Sequence, residues 1–596
     1  MKQNKIKTLV IIALLGGFTA VNAQNEDEKL NREMTLEREY DPTVQDASKV
    51  NRLPEIKEPA ITKQSINYSP FTVPADPQKE INILSSGNAM TEIPYNKRRG
   101  YFQFGGGMYT NLSGDLGYNI LNDHKNLLNI FASHRSTNGK LKYEEYWGDE
   151  KQKAKLTDNL IGLNFNHYFD QGAIIRLGGK YSYTAFNYYG YSYNRIPSVS
   201  SIWEPDSFDH KTNQVNQLIN GYAGVKSKEG SMIGYLVDIE YNRFTQKYGW
   251  TTDMDGIQEN KITIQAGVSG RFGNNNNQSA GLFAKVNYFN YKYPTTNLYP
   301  GSNIGDSLGY QNYMEATISP YYQMQGDGWK VKLGVNAMII TGDSSKFFAS
   351  PNISAEAEIA DKTVFYLDAT GEIQSNDAYS ISLQNRYVDH MPLVLPSRTW
   401  LDATLGIRSG VAPGFWFDVF AGYKITDNEV FFIPGIPMEN NDFGSYQYVF
   451  QPNASLFRIG ASLKYEYQKW MDLSIKGVYN NWSLKKGDNN IEWDDMKPYG
   501  RPTTEINADL TVRPISPLAL NFNYYLGASR YSYLLLDKSE VKLDNINDLN
   551  FMATWNFTDM IGAYIKLNNI ISQHQEFYYG YPLQKFNAMA GININF

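Results

Sequence analysis

Six histidines and no cysteine in 596 residues leave few ways to build a reactive centre. A nucleophilic hydroxyl needs an imidazole base within reach and a third group to orient that base. The nearest approximations are Asp389-His390, Ser572 with His574, and Ser133-His134. Adjacent side chains on a strand face opposite ways, so Ser133 and His134 cannot cooperate if they lie on one. Asp389-His390 reads as loop, where adjacency in sequence carries little weight. Without cysteine there is no thiolate metal site, no Cys nucleophile, no disulfide framework and no lipobox. No His, Asp and Glu spacing suits a metal ion, and Asn274-Asn275-Asn276-Asn277 reads as a solvated turn. The chain is expected to be neither an enzyme nor the holder of a cofactor.

Charge and aromatic surface remain. Acids at Asp402, Asp418, Asp472, Glu505 and Asp509, and bases at Arg408, Arg458, Lys464, Lys476 and Lys566, fall on the polar positions of alternating segments. On such segments they would line a water-filled interior. Rings of charge tune pores, and mixed signs would largely neutralise one another. Tyrosines gather in 186–193, 288–293 and 577–581. A tyrosine offers a flat apolar face and a polar tip. Tyr188, Tyr189, Tyr191, Tyr291, Tyr578 and Tyr579 are therefore candidates for stacking on a ligand or a partner.

The elements that would hold these residues follow from periodicity. The final stretch, Phe586 to Phe596, places apolar residues at every even position and mostly polar or small ones between them. This period of two puts one face against an apolar phase and the other against water. It recurs over Leu549–Phe557, Leu518–Leu526, Phe457–Tyr467 and Trp329–Ala337. A sandwich and a membrane barrel share this pattern. Long strands, aromatics at their ends and an alternation of tight and long connections favour the barrel. Tight ones include Asp170-Gln171-Gly172, Lys228-Glu229-Gly230 and Ala412-Pro413-Gly414; long ones include 190–212, 373–397, 425–453 and 530–546. The expected fold is all-β: a transmembrane antiparallel β-barrel over 100–596 with about 22 strands, or about 20. The first hairpin and the polar stretch 346–359 are its least regular parts.

Ahead of the barrel, Lys2, Lys5 and Lys7 precede the apolar run Leu9–Leu15 and the small-residue exit Val21-Asn22-Ala23. That is a signal peptide, expected to be removed as 1–23. Residues 24–99 are polar and rich in Pro, which implies a short extended periplasmic segment. A net charge of −6, from 55 basic and 61 acidic side chains, argues against a nucleic-acid partner.

The exit Ala23-Gln24, the polar leader, the Tyr- and Asn-rich barrel and the closing strand Ile592–Phe596 resemble outer-membrane proteins of the Bacteroidota type. The size and strand number are similar to those of TonB-dependent receptor barrels, although 24–99 leaves no room for the plug domain those receptors carry. The resemblance implies the outer membrane of a Gram-negative bacterium, lipid around the barrel, and insertion machinery that engages the C-terminal strand ending at Phe596. The expected function is a pore or transporter-like channel for hydrophilic solutes. The alternative is a non-transport subunit that binds periplasmic or outer-membrane proteins through 24–99 and the long loops, for assembly, secretion or a surface complex.

Overall fold

Alternating apolar and polar side chains form a sheet with one greasy and one wet face, and closing that sheet removes its edges. A computed structural model describes residues 98–142, 151–190, 211–292, 311–342, 345–390, 392–410, 412–435, 443, 445–487, 495–535 and 538–596. The stretch 1–23 read as a signal peptide, almost all of 24–99 and Tyr191 lie outside them. The chain divides into two units, Met1–Asp76 and Pro77–Phe596, and only the second contains described residues.

Here the strands pair with their neighbours in chain order, all antiparallel, from Gly100–Gly107 to Asn587–Asn595. The first and last strands pair with each other from Tyr101↔Asn595 to Gly107↔Met589, which closes a barrel of 22 strands. Thr363–Thr370 and Ile373–Gln374 count as one stave, because both pair with Ser397–Ser409. The irregular stretch near 346 is a full strand, Lys346–Ala360, and the first hairpin forms as well.

Ile161, Ile219, Val268, Ile318, Leu405, Ile459 and Ile565 all point outward and are exposed. The buried apolar clusters include neither Ile592 and Ile594 nor Leu520. Exposed Trp329, Tyr467, Trp470 and Trp555 form a girdle at the end that holds the tight turns. Exposed Tyr181, Tyr241, Tyr288 and Tyr479 form another above it. The apolar band between them matches a bilayer core, and the tight-turn end, where Phe596 pairs with Gly100, is periplasmic.

Strands run further outward than the sequence pattern suggests. Asn126–Lys142 has 17 residues and Lys151–Tyr168 has 18, where about 9–11 cross a bilayer. The surplus stands above the lipid. Outward residues there turn polar at His134, which bonds Asn159 at 2.7 Å and Ser136 at 3.0 Å. Periodicity ends before these strands do, because no lipid face remains to impose it.

Segments 425–453, 530–546 and 373–397, read as long loops, contain structure. The first holds the hairpin Phe431–Pro434 with Gln447–Phe450, and the second the hairpin Arg530–Leu534 with Ser539–Leu543. The third holds a short helix, α1, Ala378–Gln384.

Candidate functional site: a lumen closed by its own loops

The inward face is polar, and its side chains bond sideways. Asn164 bonds Asn129, Asn220 bonds Glu240, Thr263 bonds Asn287, and Ser319 bonds Asn336. Such lateral ladders satisfy polar groups on the wall without filling the interior. Aromatics are laid flat by the same logic. Tyr222, Tyr321, Tyr366 and Phe420 sit directly opposite Gly178, Gly281, Gly406 and Gly460 on neighbouring strands. A Cβ at Gly178 would lie 2.6 Å from the Tyr222 ring, so only glycine leaves room for a ring to rest on the adjacent strand. Cations stand over several of these rings. Lys332 is 5.2 Å from Tyr321, Arg408 is 5.4 Å from Tyr366, and Lys476 is 5.7 Å from Phe420.

All ten charged candidates occupy this inward face by register. Asp402 receives Arg458 at 2.6 Å, and Tyr366 donates to Asp418 at 2.9 Å. Arg408 meets Glu356 at 2.6 Å, and Asp472 meets Arg513 at 2.5 Å. Glu505 accepts from Asn480 at 3.0 Å, and Asp509 from Asn523 at 2.6 Å. Lys464 lies opposite Ser474, and Lys566 between Met552 and Met589. Asp472 and Arg513 thus meet on neighbouring strands, while Arg458 and Arg408 each reach over one intervening strand to Asp402 and Glu356.

The extracellular mouth was not legible as a site. The thirteenth strand breaks at Gly371, where only glycine fits, since a side chain there would strike the Thr399 carbonyl at 2.4 Å. Asn376, in the left-handed region at φ 52°, then ties the neck of a loop by donating to Leu395 O at 2.9 Å and Ser397 Oγ at 2.7 Å. Asp377 caps α1 by accepting from Ser380 N at 2.8 Å. α1 buries Ala378 and Ile381 against Leu218, Phe244, Ile257 and Val430.

Beyond α1 the loop reaches Asp158, which pairs with Arg386 at 3.4 Å. Asp158 lies on the fourth strand and the loop springs from the thirteenth, nearly opposite in a ring of 22. The loop therefore crosses the lumen. Further contacts fasten it there. Tyr578 donates to Gln384 O at 2.5 Å, Trp250 to Asp389 at 3.0 Å, and Asp389 N to Gln447 O at 2.9 Å. His390 bonds Ser382 at 2.7 Å. Burial pulls the His390 imidazole down to about 4, so it is neutral at physiological pH and a weak base despite its serine partner.

The tyrosine candidates that are described pack into this cap. Tyr188 and Tyr189 are buried, with Tyr188 5.5 Å from Phe186 and Tyr189 5.2 Å from Tyr581. Tyr291 lies within the Phe289–Tyr313 stack, Tyr578 holds α1, and Tyr579 packs on Leu534. Two charged anchors were not among the candidates. Glu429, 3% exposed as a side chain, is held by Lys424 and Arg501 at 3.1 Å each. Arg530, 1% exposed, donates to the carbonyls of Gly500, Glu576 and Phe577. A lone Arg in a turn-rich stretch gives no periodic signal, so only tertiary structure shows its role.

No family model matches the chain, and no curated protein matches it. Solved structures do. The siderophore receptor PirA from Acinetobacter baumannii is 11% identical with a TM-score of 0.63, covering 84% of this chain and 81% of that one. The FrpB iron transporter from Neisseria meningitidis (F3-3 variant) is 11% identical with a TM-score of 0.62, covering 84% and 82%. The ferric-catecholate import receptor Fiu from E. coli K12 is 9% identical with a TM-score of 0.59, covering 84% and 82%. At such identities the likeness is one of fold: this chain is an outer-membrane β-barrel with the architecture of TonB-dependent receptor barrels.

Proposed function

We propose that the protein is a conduit for hydrophilic solutes, a pore or transporter-like channel whose extracellular mouth is shut by its own loop. The observation that carries this reading is the crossing of the lumen by 371–396 over a wall whose polar groups bond sideways and whose rings lie flat. A barrel of this strand number encloses a large interior that must be filled or conduct. Among the described residues, the inward side chains lie along the wall beneath the cap rather than across the interior, which supports conduction. The receptor and transporter structures of similar fold support import as the direction of travel.

Mixed, mutually paired charge at Asp402/Arg458, Arg408/Glu356 and Asp472/Arg513 suits a hydrophilic cargo without strong selection by sign. The partners proposed are outer-membrane lipid on the apolar band and insertion machinery at the strand ending in Phe596.

The test replaces 376–395 by a short Gly-Ser linker across the neck and records currents in planar bilayers. Wild-type protein should hold a quiet baseline, and the shortened variant should give stepwise conductance. A shortened barrel that stays sealed would refute the conduit. It would favour instead a non-transport subunit binding envelope proteins through 24–99 and the loops.

A further inference from the structure

The cap meets the wall at the start of α1. Glu259 and Lys261 of strand Gln258–Phe272, Asn287 of Gln278–Lys292 and Glu315 of Tyr313–Gly326 face inward on consecutive strands, by the registers Thr263↔Asn287 and Asn287↔Glu315. The loop lays three groups on them. The Asp377 carboxylate meets Lys261 Nζ at 2.7 Å. The backbone N–H of Ala378 donates to Glu259 Oε2 at 2.7 Å, and Ser375 Oγ donates to Glu315 Oε2 at 2.8 Å. A carboxylate thus sits on the wall's amine, and neutral donors sit on its two acids.

The match on the acidic side is incomplete. Glu315 is 2% exposed, and its Oε1 has no hydrogen-bond partner among the described residues. Its other oxygen takes both Ser375 and Asn287 Nδ2, the latter at 3.0 Å. Buried carboxylate oxygens are costly to leave without a donor, and a hydroxyl and an amide N–H are weak answers to two acids. An ammonium group carries three donors and a full charge, so it would answer both better.

We propose that Glu259, Lys261, Asn287 and Glu315 form a binding site for a zwitterionic solute, one with a free carboxylate and a free amine such as a short peptide, and that Ser375–Ala378 occupies it when the mouth is closed. The solute's carboxylate takes the place of Asp377 on Lys261, and its ammonium goes to the carboxylates of Glu259 and Glu315. Entry of the ligand and release of the loop are then one exchange. This inference rests on the conduit reading and names its cargo.

The experiment is calorimetric titration of the full-length, detergent-purified protein with tri-alanine. N-acetyl-tri-alanine amide serves as the blocked control, and glycine separates a free amino acid from a peptide. Asp377→Asn keeps the helix cap but gives up the charge on Lys261, so it should bind tri-alanine roughly tenfold or more tighter than wild type, since the internal competitor is weakened. The double variant Asp377→Asn/Lys261→Met and the blocked peptide should show no binding, with a heat-shifted gel band confirming folded barrels. Equal binding by single and double variants, equal binding of blocked and free peptide, or no binding to Asp377→Asn would each overturn the site. The two readings fail separately: conductance in the loop-shortened variant without peptide binding refutes the site alone, and binding without conductance refutes the conduit.

Discussion

Replacing Arg530 by Met should unfasten the extracellular cap while leaving the barrel intact. The guanidinium is 1% exposed and donates to the carbonyls of Gly500 at 3.2 Å, Glu576 at 2.6 Å and Phe577. Burial pulls its pKa down to about 10, which still leaves it cationic at neutral pH. Methionine fills the volume but donates nothing, so three carbonyls lose their partner. Leaving a buried acceptor without its donor costs about 1–3 kcal/mol. That cost falls where the bonds are, in the segments near 500, 530–543 and 576–581. Hydrogen exchange should accelerate there by two orders of magnitude or so, with the barrel strands unchanged. Uniform loss of protection through the strands would mean that cap and barrel unfold as one.

Acid should loosen the same cap through His390. Its imidazole is buried, with Nε2 bonded to Ser382 and the Phe244 ring 6.2 Å away. The folded cap holds it near 4, against 6.5 for the exposed group. Between these values the opened cap binds a proton that the closed cap refuses, so closure grows more stable as pH rises through the window. On acidification from about 6.5 to about 4 the His390 contribution to closure falls by on the order of 3 kcal/mol, and above 6.5 this group contributes no further change. Cap protection measured across that window should fall with pH in wild type and more shallowly in His390→Asn. A wild-type profile as flat as the variant's would show that burial of this imidazole does not set the stability of the closed mouth.

The two halves of the molecule were unequally legible. Lipid imposes a strict alternation on every stave it touches, so segments such as Phe457–Tyr467 and Leu518–Leu526 announced themselves, as did tight turns ending at Gly172 and Gly230. The inward positions of Asp402, Arg458 and Asp472 followed from the same parity. Above the lipid that constraint disappears, which is why Asn126–Lys142 outran its pattern and why two hairpins and α1 passed for loop. One local signal was present: Asp377 stands directly before Ala378-Tyr379-Ser380-Ile381, a helix-capping arrangement. Nothing in it says that α1 folds inward. That depends on Lys261, Glu259 and Glu315, which lie 60 or more positions away in sequence from the groups they meet and contact the loop only once the barrel closes. The tyrosines were legible as clusters, but sequence could not separate rings that pack on one another from rings that face solvent.

Because the chain has no cysteine, one introduced thiol reports on a single place. Lys285 faces the lumen one inward position below Asn287, just under the cap. Lys285→Cys in intact cells should resist a membrane-impermeant maleimide while 376–395 is present and react readily once that segment is replaced by the short linker. Equal labelling with and without the segment would contradict a mouth closed by the crossing loop.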